Sequence, residues 1–356
     1  MPEQAERPPS GSGGRRTTRA VRLGVVVLLG LGLPAAGAGG AAAEEPAAPS
    51  VRCTVTDPAL AEISGLVDLG ERMLVMNDGG DRLSVSVLDA GCQVLEARSA
   101  AVDPYDPEDL GLGADGTLWL ADAGDNTAIR STVALLALRP DGSAGVHRLS
   151  YPDGAHDSEA LLLAPDGTPY LVTKDVLGSS GVYRPTGPLS VDVTVPMERV
   201  ATVNMTLTGT PGGPVGRAGQ LLITGGAVAG DGSALALRTY TDAYVWPLTG
   251  SDVPAALAGT PVRVPLPDSP QGEAISFTTD NRQLVVAGEG VPGDVVVVPI
   301  PAGTLPAAAA TSGGPVPTLT ELTSSGRSAV TSALIAAAVA TVVVWVGGLV
   351  RRRSTP

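Results

Sequence analysis

Four glutamates stand at the head of short apolar runs in this chain: Glu62, Glu108, Glu159 and Glu273. Glu62 leads into Ile63-Ser64-Gly65-Leu66, Glu108 into Asp109-Leu110, Glu159 into Ala160-Leu161-Leu162, and Glu273 into Ala274-Ile275-Ser276. A fifth run, Thr224 to Leu237, has Thr224 in the acidic place. Carboxylates held together repel, so some pKa values rise unless a cation compensates. A set of hard oxygen donors suits Ca²⁺, which takes about six to eight of them. The four glutamates are therefore candidate metal ligands. Asp122, Asp125 and Asn126 form a further candidate set in Asp122-Ala123-Gly124-Asp125-Asn126, which is similar to Asp78-Gly79-Gly80-Asp81. Neither stretch has the full calcium-loop pattern. The alternative is structural: the same acids would cap strand starts, accept backbone N–H bonds, or pair with Arg130 and Arg238.

Other reactive groups are few. His156, just ahead of Glu159, and Lys174, the single lysine, are the candidate catalytic side chains. A general base at His156 would sit beside the carboxylates, and a plain turn histidine is the other reading. The chain has no Gly-x-Ser-x-Gly elbow. Cys53 and Cys92 are the two cysteines; an oxidising compartment would join them as a disulfide, and two buried thiols are the alternative. They are too few for a four-cysteine zinc site.

The elements that would position these residues are short strands. Turn signals recur between apolar runs at Asp115-Gly116, Asp141-Gly142, Asp166-Gly167, Asp231-Gly232 and Asp280-Asn281. Such pairs supply the positive φ that a tight hairpin requires. In three copies the Glu precedes the turn Asp by seven residues: 108 to 115, 159 to 166 and 273 to 280. Copy starts lie 46, 51, 65 and 49 residues apart. All-β repeats of about 40 to 50 residues predict a β-propeller, here of five or six blades over residues 51–300. The early strand Val51 to Val55 would complete the last copy and close the ring. A β-sandwich is the competing fold and does not explain the repeat.

At these residues the chain resembles a family of secreted bacterial β-propellers. The marks are Ser64-Gly65-Leu66 with Asn77-Asp78-Gly79-Gly80-Asp81, Glu108-Asp109 with Asp122-Ala123-Gly124-Asp125-Asn126, Asp157-Ser158-Glu159-Ala160-Leu161 with Thr173-Lys174, Arg238-Thr239-Tyr240, and Gln271-Gly272-Glu273-Ala274-Ile275. More distantly, it is similar to phytase-like and gluconolactonase-like propellers. The resemblance implies the fold; it leaves the activity open, because propellers host unrelated functions. The three-residue metal set of gluconolactonases does not map onto this chain residue by residue.

The ends predict an exported protein. Arg15, Arg16, Arg19 and Arg22 precede an apolar core from Leu23 to Leu33, and Ala41-Ala42-Ala43 follows. This is the layout of a signal peptide over 1–43, with Sec and twin-arginine export both open. Residues 44–50 read as a linker and 301–327 as a stalk rich in Ala, Pro, Thr and Ser. Residues 328–350 carry no charge and are followed by Arg351-Arg352-Arg353. That pattern predicts a single transmembrane helix, with the N-terminus outside and residues 351–356 as a cytoplasmic tail. Rich Ala, Gly, Pro and Arg usage beside a single lysine suggests an actinobacterial, GC-rich origin.

Between Glu44 and Gly326 there are 14 Arg and Lys against 34 Asp and Glu, a net charge of −20. That balance disfavours nucleic acid and unaccompanied phosphate ligands and favours cations. The expectation is a membrane-anchored monomer that presents a ligand- or protein-binding propeller, with a divalent cation, Ca²⁺, at its channel mouth. The alternative is a calcium-dependent hydrolase of phytase-like esterase or lactonase type.

Overall fold

The computed structural model describes residues 47–305. The hairpin turns form as their sequences dictate. Gly116 and Gly167 take φ of 82° and 84°. The preceding aspartates fold back on the chain: Asp115 Oδ1 accepts from Thr117 N at 3.0 Å and Asp166 Oδ1 from Thr168 N at 2.9 Å. The aspartate thus satisfies a backbone donor that the turn would otherwise expose.

These turns join twenty strands among the described residues. Strand β1 (Ser50–Val55) comes first. The first sheet is β2 (Ile63–Asp68), β3 (Arg72–Asn77), β4 (Leu83–Asp89) and β5 (Val94–Ala100). The second is β6 (Pro107–Leu112), β7 (Leu118–Asp122), β8 (Val133–Leu138) and β9 (Ala144–Ser150). The third is β10 (Ser158–Leu163), β11 (Pro169–Thr173), β12 (Ser179–Pro185) and β13 (Val195–Asn204). The fourth is β14 (Ile223–Val228), β15 (Ala234–Thr239), β16 (Asp242–Pro247) and β17 (Val262–Pro265). In the fifth, β18 (Gln271–Phe277), β19 (Gln283–Glu289) and β20 (Gly293–Pro299) are completed by β1, which pairs antiparallel with β20.

The first strands pack in a closed cycle, β2 on β6, β6 on β10, β10 on β14, β14 on β18 and β18 on β2. This is a propeller of five blades. Its ring is closed by joining the two ends of the domain within one sheet, which removes an exposed edge. A parallel contact between β9 and β13 (Leu149 with Val195, Ser150 with Pro196) links the outer edges of blades two and three.

The core lies between blades. Leu74, Met76 and Val85 of the first blade meet Leu110, Leu118 and Leu136 of the second. Ala160, Leu162 and Val172 of the third meet Ile223, Leu235 and Leu237 of the fourth. Each face removes apolar area from water at about 25 cal/mol per Å². Cys53 and Cys92 are joined as a disulfide, tying the closing strand β1 to the β4–β5 turn of the neighbouring blade.

One expectation is corrected. No helix among the described residues is long and apolar enough to cross a membrane; the one α-helix there, α1, spans only Val253–Leu257. The segments expected to be a signal peptide (1–43) and a transmembrane helix (328–350) lie outside the described residues. The single-pass anchor, with its N-out, C-in orientation, has no support in the structure.

Candidate functional site at the channel mouth

Each innermost strand begins with an irregularity against its partner: Ile63/Gly65, Pro107/Asp109, Ser158/Ala160, Ile223/Gly225 and Gly272/Ile275. A bulge here gives one strand an extra residue and re-aims its side chain. The bulged positions are Ser64, Glu108, Glu159 and Thr224, with Glu273 in the wider fifth irregularity. All five are buried. Ser64 Oγ donates to Glu108 O at 2.5 Å, and Thr224 Oγ1 to Gly272 O at 2.9 Å, so the two hydroxyls stitch neighbouring blades together.

Glu62 therefore occupies a different level from the other three glutamates. It is exposed and lies two residues ahead of the bulge. Its backbone carbonyl accepts from Asp78 N, as Asp106 O accepts from Gly124 N and Asp157 O from Lys174 N. Glu62, Asp106 and Asp157 are thus equivalent and form an upper acidic tier above Ser64, Glu108 and Glu159.

The two tiers meet at one place. Glu108, Asp157 and Glu159 each offer an oxygen, and these atoms all lie within 4.8 Å of one another. Lys174 Nζ donates to Glu159 Oε1 at 2.6 Å, while the buried Glu159 Oε2 has no hydrogen-bond partner. Gly124 makes room: a Cβ there would overlap Glu108 Oε1 and come within 2.5 Å of Asp106 Oδ2.

The electrostatics follow from this crowding. Burial, followed by repulsion from Glu159, Asp106 and Glu273, pushes the Glu108 carboxyl far up. Glu273 is raised by burial and by Glu159 and Glu289. Glu159 is also raised by burial, against the pull of Lys174. Burial alone would lower the Lys174 pKa; the Glu159 charge, assisted by Tyr240, outweighs it and holds the ammonium above its usual range. At the rim, Asp78 is raised to about 6 by burial and by Glu289, Glu62 and Asp106.

Asp109 is fully buried where the innermost strands of three blades meet. Its carboxylate accepts from Leu110 N at 2.8 Å, Leu161 N at 2.7 Å and Gly226 N at 3.0 Å, joining three blades. Burial raises it to about 8 despite those three donors.

The remaining predicted residues sit in local structure. Asp122 pairs with Arg130 at 3.0 Å and accepts from Asp106 N at 2.9 Å. Asp125 accepts from Arg130 N at 2.6 Å, and its own N–H donates to Asp157 Oδ1 at 2.8 Å. Asn126 is exposed. Asp122 and Asp125 buttress Asp106 and Asp157 and do not join the carboxylate cluster. His156 bonds Asp153 at 3.0 Å and the Tyr183 hydroxyl at 3.1 Å, within a turn cluster that also includes Tyr151. Asp157 and Asp106 were missed as site residues, although the pattern acid-x-Glu at 106–108 and 157–159 marks both.

A cation fits these donors on two grounds. All are hard carboxylate oxygens, the set that Ca²⁺ and Mg²⁺ prefer. One of the three residues, Glu159, also has an oxygen, Oε2, buried without any partner, which is costly unless something compensates it.

No family model matches the chain, and no curated protein matches it. Among solved structures, the fold is similar to that of a luciferin-regenerating enzyme, at 15% identity over 69% of this chain and 80% of that one, with a TM-score of 0.41. It is also similar to a gluconolactonase from Xanthomonas campestris, at 20% identity over 68% and 73%, with a TM-score of 0.40. A catalytically inactive variant of virginiamycin B lyase from Staphylococcus aureus matches at 10% identity over 72% and 76%, with a TM-score of 0.36. These likenesses are of fold. The class that fold and site define here is a five-bladed propeller with a buried acidic mouth.

Proposed function

We propose that the propeller is a cation-dependent binding module. A divalent cation, Ca²⁺ by donor type, is held by Glu108, Asp157 and Glu159 and presents open coordination positions to an oxygen-bearing ligand entering the mouth. The observation that carries this reading is the convergence of three carboxylates, one of which, Glu159, has an oxygen (Oε2) buried without a partner. The cation would supply the charge that lets these carboxylates ionise together. Gly124 leaves room for the Glu108 and Asp106 carboxylates, and Lys174 holds one oxygen of Glu159 while the other stays without a protein partner. Calorimetric titration of the chelated protein with Ca²⁺ tests this. One binding event, lost in a Glu108→Gln plus Glu159→Gln variant, is expected; no heat with Ca²⁺, Mg²⁺ or Mn²⁺ would overturn it.

A second reading, a metal-dependent hydrolase of esterase or lactonase type, is favoured by one feature. Lys174 is held protonated at the edge of the carboxylate cluster, where an ammonium could stabilise a developing oxyanion. Turnover of a panel of lactones and phosphate esters, dependent on Ca²⁺ and lost in Lys174→Met, would establish the enzyme. Flat panels with intact cation binding leave the binding module.

A further inference from the structure

The bonds from Asp78 N, Gly124 N and Lys174 N bring the loops entering the first strands onto the loops leaving the second strands, and so mark the mouth end of the domain. Eleven large apolar side chains are exposed among the described residues, and six of them stand on loops at this end. Tyr105 precedes β6 and Ile129 follows β7; Val176 and Leu177 follow β11; Leu207 and Val215 lie between β13 and β14. Ile129 is 73% exposed and Leu177 84%. The other five lie on β1, on β5 and between β12 and β13.

Four of the six belong to one ledge. Met205 N donates to Gly178 O at 2.7 Å, so the connection over 205–222 starts against the β11–β12 turn. A Cβ on Gly178 would touch Leu221, and one on Gly219 would touch both Val215 and Tyr240. Lys174 Nζ stands 5.4 Å from the centre of the Tyr240 ring, so the ledge backs onto the carboxylate cluster. The 205–222 connection is the longest between strands of the domain, yet it is tied down. The buried Gln220 side chain accepts from Thr208 N and Gly209 N, and the buried Asp242 carboxylate accepts from the Thr208 and Thr210 hydroxyls. A long loop held firmly while its apolar side chains face water is preorganised for a partner.

Charge selects the kind of partner. Beyond the three cation ligands, Glu62, Asp106 and Glu289 all act on Asp78, so four carboxylates crowd the rim. Arg130 and Lys174 are already paired with Asp122 and Glu159. The domain as a whole carries −20, so anionic lipid is repelled from this face. The chain enters the domain on β1 and leaves after β20 at the opposite end, because β1 pairs its last residue, Val55, with the first of β20, Gly293. An acidic centre bracketed by exposed apolar groups is complementary to basic side chains bracketed by apolar ones.

We propose that the mouth face docks a segment of a partner protein in which basic side chains are flanked by apolar ones. The apolar side chains settle on the ledge and beside Tyr105 and Ile129, and the basic ones lie over the rim acids. The proposal deepens the binding-module reading and rests on it only for the mouth as the binding end; the basic contact does not require the cation.

Fluorescence anisotropy of the full chain with a labelled, end-blocked octapeptide tests the assignment. The probe has two central lysines, two leucines on either side of them and a glycine at each end. It is expected to bind in millimolar Ca²⁺, and peptides with glutamate for lysine or serine for leucine are expected to bind at least tenfold more weakly. Leu177→Ser plus Leu207→Ser changes two exposed positions, so folding is spared. This variant is expected to weaken the probe at least tenfold and to leave Ca²⁺ affinity unchanged. Probe binding to a protein that takes no Ca²⁺ would remove the cation and keep the partner. Failure of the probe to bind while Ca²⁺ still binds would overturn the partner alone. Equal affinity for the glutamate peptide would overturn the charge match, and unchanged binding by the double variant would overturn the ledge. Binding of phosphatidylserine vesicles without binding of the probe would assign the face to a membrane and overturn the proposal.

Discussion

Lys174 Nζ and Glu159 Oε1 lie 2.6 Å apart, and the carboxylate end of this pair is almost wholly buried. The contact binds one oxygen of Glu159 and leaves the other without a partner. Removing the lysine would strand a buried carboxylate. Lys174→Met is therefore expected to lower stability by about 3 kcal/mol in chelator, and by clearly less in millimolar Ca²⁺, as read by urea unfolding. An equal loss in both conditions would separate Lys174 from the cation site.

The raised carboxyl groups set a direction for pH dependence. Asp78, raised from 3.8 to about 6, and Asp109, raised from 3.8 to about 8, bind protons more tightly folded than unfolded. Glu108, Glu159 and Glu273 act in the same sense. Their contribution is fully present below the unfolded values and is lost as pH rises through the folded ones. The cation-free protein should therefore melt higher at pH 5 than at pH 8. Ca²⁺ should flatten the trend by favouring the ionised forms. A cation-free protein that is more stable at pH 8 would contradict the account.

Gly124 gives a test that spares the ligands. Its missing side chain leaves the space that Glu108 Oε1 and Asp106 Oδ2 fill, and both are ends of flexible side chains. Gly124→Ala should fold with a small loss, about 1 kcal/mol, yet weaken Ca²⁺ binding at least tenfold by displacing Glu108. Unchanged binding affinity would show that the cluster is not where the ion sits.

Much of this site was legible in the chain. The turn aspartates and the repeat spacing mark a propeller of five or six blades, of which the strand packing makes five, and the early strand marks the closure. The glutamate-to-turn interval of seven residues also extends from Thr224 to Asp231 and from Ser64 to Glu71. Applied to the first copy, it selects Ser64 as the bulged residue, where a glutamate two positions earlier invites misalignment. What sequence could not supply is the pairing across blades. Whether Asp157 or Asp125 reaches Glu108 depends on how loops from separate repeats fold over one another, and Arg130 decides it by holding Asp122 and Asp125 aside.

Asp109 is expected to be structural. Asp109→Ala would leave three buried N–H groups from three blades unpaired, each costing about 1–3 kcal/mol. Loss of most of the folding stability is expected in calorimetry. A mild loss would mean that water replaces the carboxylate.

The central claim, a cation held by Glu108, Asp157 and Glu159, is tested most directly by a crystal structure grown in millimolar Ca²⁺. The account predicts one ion at about 2.3–2.6 Å from oxygens of all three residues. Well-ordered carboxylates around water alone, or an ion bound elsewhere at Asp122 and Asp125, would contradict it.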